Sequence, residues 1–363
     1  MRKIGISIYP EKSSVKEVLQ YLDVAHKNGF KRIFSCLLSI NKPKEEIIKE
    51  FQEIGSYAKK LGFEVILDVS PRIFKELDIS YQDLTFFHLL HADGIRLDLG
   101  YSGSEESLMT FNPYDLLIEL NMSNNTHYLD TVMDYQPNKY KLVGCHNFYP
   151  HRYSGLTLEH FTECTKRFKK YNLQTSSFIT SQNVDTFGPW PVTDGLPTLE
   201  MHRELPIDIQ LKHYVVMDDI DNIIISNCYP SDDELEKLSK VRLDLLNLNI
   251  TTVKGISEVE EKILFNELHF NRGDASENII RSTQPRVKYR GTHFPVYNAP
   301  EIIRRGDVVI ESSEYGHYAG EVQIALNDMI NSGKSNVVAR VAEKEIFLLD
   351  YIKPWQKFVF TKE

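Results

Sequence analysis

The sequence predicts an α/β architecture: a parallel (β/α)8 TIM barrel over residues 1–243, then a small all-β domain over residues 244–363. Three observations carry this. Short apolar runs alternate eight times with helical stretches up to about residue 240; parallel strands need such crossovers, and eight of them close. After the helix-like DDELEKLSKVRLDLL, the chain changes to short β-like runs separated by Gly, Asn, Asp and Pro. The competing fold is an open doubly wound sheet. Its nucleotide-binding forms lose their main support, because no G-x-G-x-x-G follows a strand and no G-x-x-x-x-G-K-[ST] is present.

Taken in order, residues 4–9 (IGISIY) read as the first strand, ended by Pro10. Ser13 and Ser14 cap an amphipathic helix that stops at Gly29. Residues 32–38 (RIFSCLL) form the second strand, and Pro43 opens a helix stopped at Gly62. Residues 63–69 (FEVILDV) make the third strand, and a helical stretch at 84–90 leads to the fourth at Gly94. A long loop then brings the fifth strand, near Ile118. Residues 142–149 (LVGCHNFY), 174–180 (QTSSFIT) and 222–227 (NIIISN) complete the eight. The β-like runs of the second domain are ITTVKGI, KILFNELHF, RVKYRG, GDVVIES, EVQIAL, SNVVARVA and IFLLDYI.

Composition narrows the function classes. The 363 residues are 42% hydrophobic and 26% charged, as in an ordinary globular protein. A net charge of −9 argues against nucleic-acid partners, since phosphate backbones select basic surfaces. Cys36, Cys145, Cys164 and Cys228 lack CxxC spacing and read as reduced thiols. No apolar h-region follows Met1-Arg-Lys and no apolar run reaches membrane-spanning length, so a cytoplasmic protein without a membrane partner is expected.

The chemistry concentrates in DGIRLDLGYSGSEESLMTFNPYDLLIELNMS, residues 93–123. Strand alternation puts Arg96 and Asp98 on one face, and likewise Glu119 and Asn121. Buried ions are costly unless paired, so two consecutive strands hiding them on one face imply a polar cavity or an internal Arg–carboxylate bridge. In barrels of this type the site lies at the C-terminal strand ends. Those ends carry Tyr9, Asp68, Asp98, Glu119, Asn121, His146, Asn147, Tyr149 and Asn227, a lining suited to a sugar. Glycoside cleavage uses a protonated acid and usually a second carboxylate. Glu119, between apolar neighbours, is the expected general acid, with Asp98 as nucleophile or base and Asp68 one strand further round. A structural carboxylate is the alternative for each.

His146 and Asn147 suit a hydroxyl or acetamide, and Tyr9, Tyr101, Phe148, Tyr149 and Trp190 suit stacking on sugar rings. His88 and His91 share a helix face without a partner ligand, so neither a metal nor a cofactor is expected. No G-x-S-x-G anchors a serine triad. In the second domain Arg281 and Arg286 offer guanidinium forks for a phosphate, or else belong to a solvated basic strand.

GISIYP, GIRLDLG, NPYDLLIELNMS, GCHNFYPHRYSGL, IRSTQPR and GEVQIAL together resemble a bacterial family of 6-phospho-N-acetylmuramidases, and the similarity runs the length of the chain. The resemblance implies a barrel followed by a cyclophilin-like β domain. It implies hydrolysis of the disaccharide N-acetylmuramic acid 6-phosphate β-1,4-linked to N-acetylglucosamine, an intracellular step of peptidoglycan recycling. It does not supply the catalytic assignments, which rest on the residues above. Two other readings fit the same barrel: a phosphosugar lyase or isomerase, and a non-catalytic sugar-phosphate-binding regulator.

Overall fold

The computed structural model describes residues 1–37, 43–191 and 194–363. Leu38, the expected last residue of the second strand, lies outside the described residues. The chain forms two compact units, Met1–Tyr214 with Asp218–Lys240, and Val215–Met217 with Val241–Glu363.

The first unit is a closed parallel barrel in chain order: β1 (Lys3–Ile8), β2 (Arg32–Cys36), β3 (Glu64–Val69), β4 (Gly94–Leu97), β5 (Leu117–Asn121), β6 (Leu142–Cys145), β7 (Gln174–Ile179) and β8 (Asn222–Ile225). β1 pairs with both β2 and β8, which closes the ring. Nearly every strand residue is buried, because helices cover the outside and side chains fill the inside. The helix Val15–Lys27 starts on a capping box, with Ser14 and Glu17 each satisfying the other's backbone N–H. Gly29 follows at φ 84°, a left-handed conformation that favours glycine.

β6 and β8 stop earlier than the sequence suggests. β6 ends at Cys145, and the chain then turns so that Tyr149 N–H donates to the Pro197 carbonyl. β8 ends at Ile225, and Cys228 exchanges backbone hydrogen bonds with Phe187. His146, Asn147, Tyr149 and Asn227 therefore sit in the segments beyond the strand ends.

The second unit is a mostly-β domain. Its strands are β9 (Leu246–Thr252), β10 (His269–Phe270), β11 (Ile279–Ser282), β12 (Ile302–Ile303), β13 (Asp307–Glu311), β14 (Val322–Ala325), β15 (Met329–Ile330), β16 (Ser335–Val341) and β17 (Lys357–Lys362). Seven make one sheet in the order β10-β17-β9-β16-β13-β14-β11, and β12 pairs with β15. A core of Leu248, Ile280, Ile310, Ile324 and Phe358, among others, packs on it. Three runs expected as strands are helical instead. KILFN belongs to the helix Glu258–Asn266, nucleated by a Ser257/Glu260 capping box. RVK closes a short helix, Gln284–Lys288, with Pro285 in its first turn. IFLLDY is a 3-10 segment within Glu343–Tyr351. Short apolar runs do not distinguish strand from buried helix by periodicity, so the caps decide.

Candidate functional site

Register puts the polar residues of β3, β4 and β5 side by side: Asp68 lies opposite Arg96, and Arg96 opposite Glu119. Arg96 is 2% exposed, and its guanidinium gathers the site around itself. Its Nη1 donates to Asp68 Oδ1 at 2.6 Å and lies 3.3 Å from Asp98 Oδ1, while Nη2 donates to Asn147 Oδ1. These four residues line a cavity of about 260 Å³ together with Cys36, Phe148, Tyr149 and Trp190.

The two carboxyls differ in environment. Asp68 is almost fully enclosed, and burial pushes its carboxyl up to about 6; Arg96 pulls it down, and the Asp98 charge adds to the rise. Asp98 is one-third exposed at the mouth. Because both carboxylates reach the same nitrogen, the arms of 2.6 and 3.3 Å cap their Oδ1–Oδ1 separation at about 6 Å. Asp98 also lines a second cavity, of about 180 Å³, with Tyr101, Asn121, Tyr128 and Arg167.

The supporting residues are fixed from behind. Asn121 Nδ2 donates to the Asp98 carbonyl at 3.0 Å, and its Oδ1 accepts from Ser123 N–H. Asn147 N–H donates to Ser123 Oγ at 2.7 Å, and its carbonyl accepts from Thr198. Ser123 therefore couples the ends of β5 and β6. Nothing in NMSNN singles out that serine, so a sequence reading has no signal for it. Cys36 was also missed as a lining residue, although alternation with Phe34 along β2 puts the two on one face.

Several expected site residues stand elsewhere. Glu119 is completely buried and pairs with Arg32 Nη2, whose other arm reaches Glu64 at 2.7 Å. It faces this guanidinium and does not line the 260 Å³ cavity. His146 lies in the wall behind Asn147, stacked on Phe161, with Ser123 at 3.3 Å and Thr165 at 2.9 Å. Burial pushes it down to about 3, so it is a neutral imidazole at ordinary pH. Tyr9 is buried with its hydroxyl donating to the Ser226 carbonyl. Asn227 spends its amide on Ser181 and Thr186. Neither lines that cavity. Arg281 and Arg286, in the second unit, both address buried Glu321. His88 stacks on Tyr114, and no group of three potential metal ligands exists among the described residues.

The chain matches the 6-phospho-N-acetylmuramidase family over most of its length: the N-terminal part at residues 4–240 and the C-terminal part at residues 246–361. Among solved structures it is similar to an uncharacterised Bacillus cereus protein, with 45% identity, 99% of each chain covered and a TM-score of 0.90. It is also similar to a conserved Enterococcus faecalis protein of unknown function, with 24% identity, coverage of 99% of this chain and 96% of that one, and a TM-score of 0.71; that likeness speaks to fold alone. No curated protein matches.

Proposed function

We propose that this chain, which belongs to the 6-phospho-N-acetylmuramidase family, is a cytoplasmic glycosidase acting on a phosphorylated amino-sugar disaccharide. The substrate is N-acetylmuramic acid 6-phosphate β-1,4-linked to N-acetylglucosamine, and the reaction serves peptidoglycan recycling. The observation that supports this reading most is the carboxyl pair on Arg96: one buried and readily protonated, one solvated, both lining the same cavity.

The general-acid role expected for Glu119 passes to Asp68 in this proposal. A proton donor must reach the glycosidic oxygen, and Glu119 faces Arg32 away from the cavity. Asp68, neutral over part of the working pH range, protonates the leaving oxygen. Asp98 attacks the anomeric carbon and forms a glycosyl-enzyme ester. Water then cleaves that ester with Asp68 as base. An Oδ1–Oδ1 separation of at most about 6 Å fits the close carboxyl pair of a retaining enzyme, roughly 5–5.5 Å, better than the wider inverting arrangement. Asp98 also borders both cavities, as a residue at the junction of two sugar rings must.

The test is hydrolysis of the phosphorylated disaccharide by purified protein in H2-18O, with the unphosphorylated disaccharide as control. Expected are two monosaccharides, one carrying solvent oxygen, and a strong preference for the phosphorylated form. An unsaturated product without solvent oxygen establishes a lyase. No turnover of either sugar sinks the glycosidase reading.

A further inference from the structure

The second unit contains a cavity of about 380 Å³ that the barrel chemistry does not use. Two carboxyls, Glu311 and Glu321, line it with Arg281 and Gln323, and Tyr315 and Tyr318 stand on its border. The charges are largely matched within the protein. Arg281 Nε donates to Glu321 Oε1 at 3.1 Å, and Arg286 Nη1 lies 3.2 Å from Glu321 Oε2. Arg286 is itself held over the Tyr318 ring, 5.1 Å from its centroid.

The polar groups are not all satisfied. Glu321 is 0% exposed, and Arg286 Nη1 meets its Oε2 as an ion pair without hydrogen-bond geometry. Arg281 uses Nε on Glu321, and its nearest further ion-pair contact is Asp274 at 4.0 Å, so its fork retains donors among the described residues. Glu311 accepts from Ser335 Oγ at 2.7 Å. Burial pushes Glu311 up to about 7, with Ser335 opposing the rise and Glu321 adding to it, so its carboxyl can donate or accept near neutrality.

Tyr315 and Tyr318 are 38% and 41% exposed, with ring centroids 6.2 Å apart and planes near perpendicular. They add aromatic surface beside a polar floor. A phosphate dianion would meet two carboxyls here, and the guanidiniums are already directed at one of them. A neutral ring bearing several hydroxyls finds acceptors, donors and an aromatic face together.

We propose that this cavity is a second ligand site, built within the β unit for a neutral, hydroxyl-rich sugar ring. It goes beyond the barrel glycosidase reading and does not depend on it. Tyr315 supplies the platform, while Glu311, Gln323 and Arg281 take the hydroxyls. Arg286 is a positioning residue that holds the Glu321 carboxylate.

Met329 lines the same cavity and provides the probe. Full-length protein labelled at its methionine methyls is titrated with N-acetylglucosamine and, separately, with inorganic phosphate. The Met329 signal is identified by its loss in Met329→Leu. The expected result is a saturable shift with the sugar, its affinity weakened roughly two- to tenfold in Tyr315→Ala, the scale of one lost aromatic stacking contact. Asp68→Asn, in the barrel, leaves the shift in place, so loss of the glycosidase reaction and loss of this site are separately visible. Three results overturn the proposal: no saturable Met329 shift with the sugar, a sugar shift indifferent to Tyr315→Ala, or a Met329 response to phosphate alone.

Discussion

Two buried arginines on the barrel strands each hold a pair of carboxylates. Arg96 joins Asp68 and Asp98; Arg32, on β2, joins Glu64 and Glu119. By residue type the two sets are almost interchangeable, yet they differ in what remains open. Asp68, Arg96 and Asp98 all line a cavity, and one of the carboxyls reaches solvent. Glu119 is sealed, and its one guanidinium partner is sealed with it. A buried ion pair is weak evidence for either stability or chemistry on its own. Access to a substrate distinguishes the two sets, and access follows from position along the strand. Asp98 lies just past the end of β4, whereas Glu119 lies mid-strand in β5.

The comparison breaks if the Arg32 set proves to be the catalytic one. Asp98→Asn is expected to cut turnover of the phosphorylated disaccharide by roughly a hundredfold or more, the usual scale for removing a catalytic carboxylate, with thermal stability little changed. Asp68→Asn follows the same course. Glu119→Gln is expected to act on folding: it removes a charge facing buried Arg32 and costs about 3 kcal/mol, near the low end for a broken buried pair, because Arg32 keeps Glu64. Denaturant midpoints measure it, and activity per folded molecule stays close to wild type. Replacing both partners, Arg32→Met with Glu119→Leu, should recover much of that stability. A folded Glu119→Gln protein without turnover returns the acid role to Glu119.

Much of the barrel was legible because each strand is a short apolar run bounded by caps and stops, such as Ser14 and Gly29. Arg96, Asp98 and Asn121 were readable from two-residue alternation, which fixes a shared face whatever the neighbours do. Alternation is silent about depth. It gave Glu119 the same standing as Asp98, and it concealed Arg32 and Glu64, which open their strands and look like solvent-facing boundary charges. His146 and Asn227 suited a site by residue type, but Thr165, Ser181 and Thr186 come from elsewhere in the chain to satisfy them. The helices at Glu258–Asn266 and Gln284–Lys288 are hidden by short apolar runs that suit a strand equally well; the capping box and the proline that start them carry the signal.

The finest test of the comparison is pH. Burial raises the Asp68 carboxyl to about 6 in the folded protein, above its value of about 3.9 in an unfolded chain. A general acid works in its protonated form, so kcat/KM is expected to fall about tenfold per unit as pH rises beyond 6. Stability carries the same signature. Between roughly pH 4 and 6 the folded state holds a proton on Asp68 that the unfolded chain has released, so stability declines as pH rises through that window and this contribution levels off above it. In Asp68→Asn that decline is absent, whatever happens to turnover, and urea midpoints at pH 4.5, 5.5 and 6.5 separate the two proteins. A wild-type rate that is flat from pH 5 to 8 removes Asp68 as the acid. A stability difference between wild type and Asp68→Asn that does not vary with pH shows that the cavity solvates this carboxylate well enough to cancel its burial.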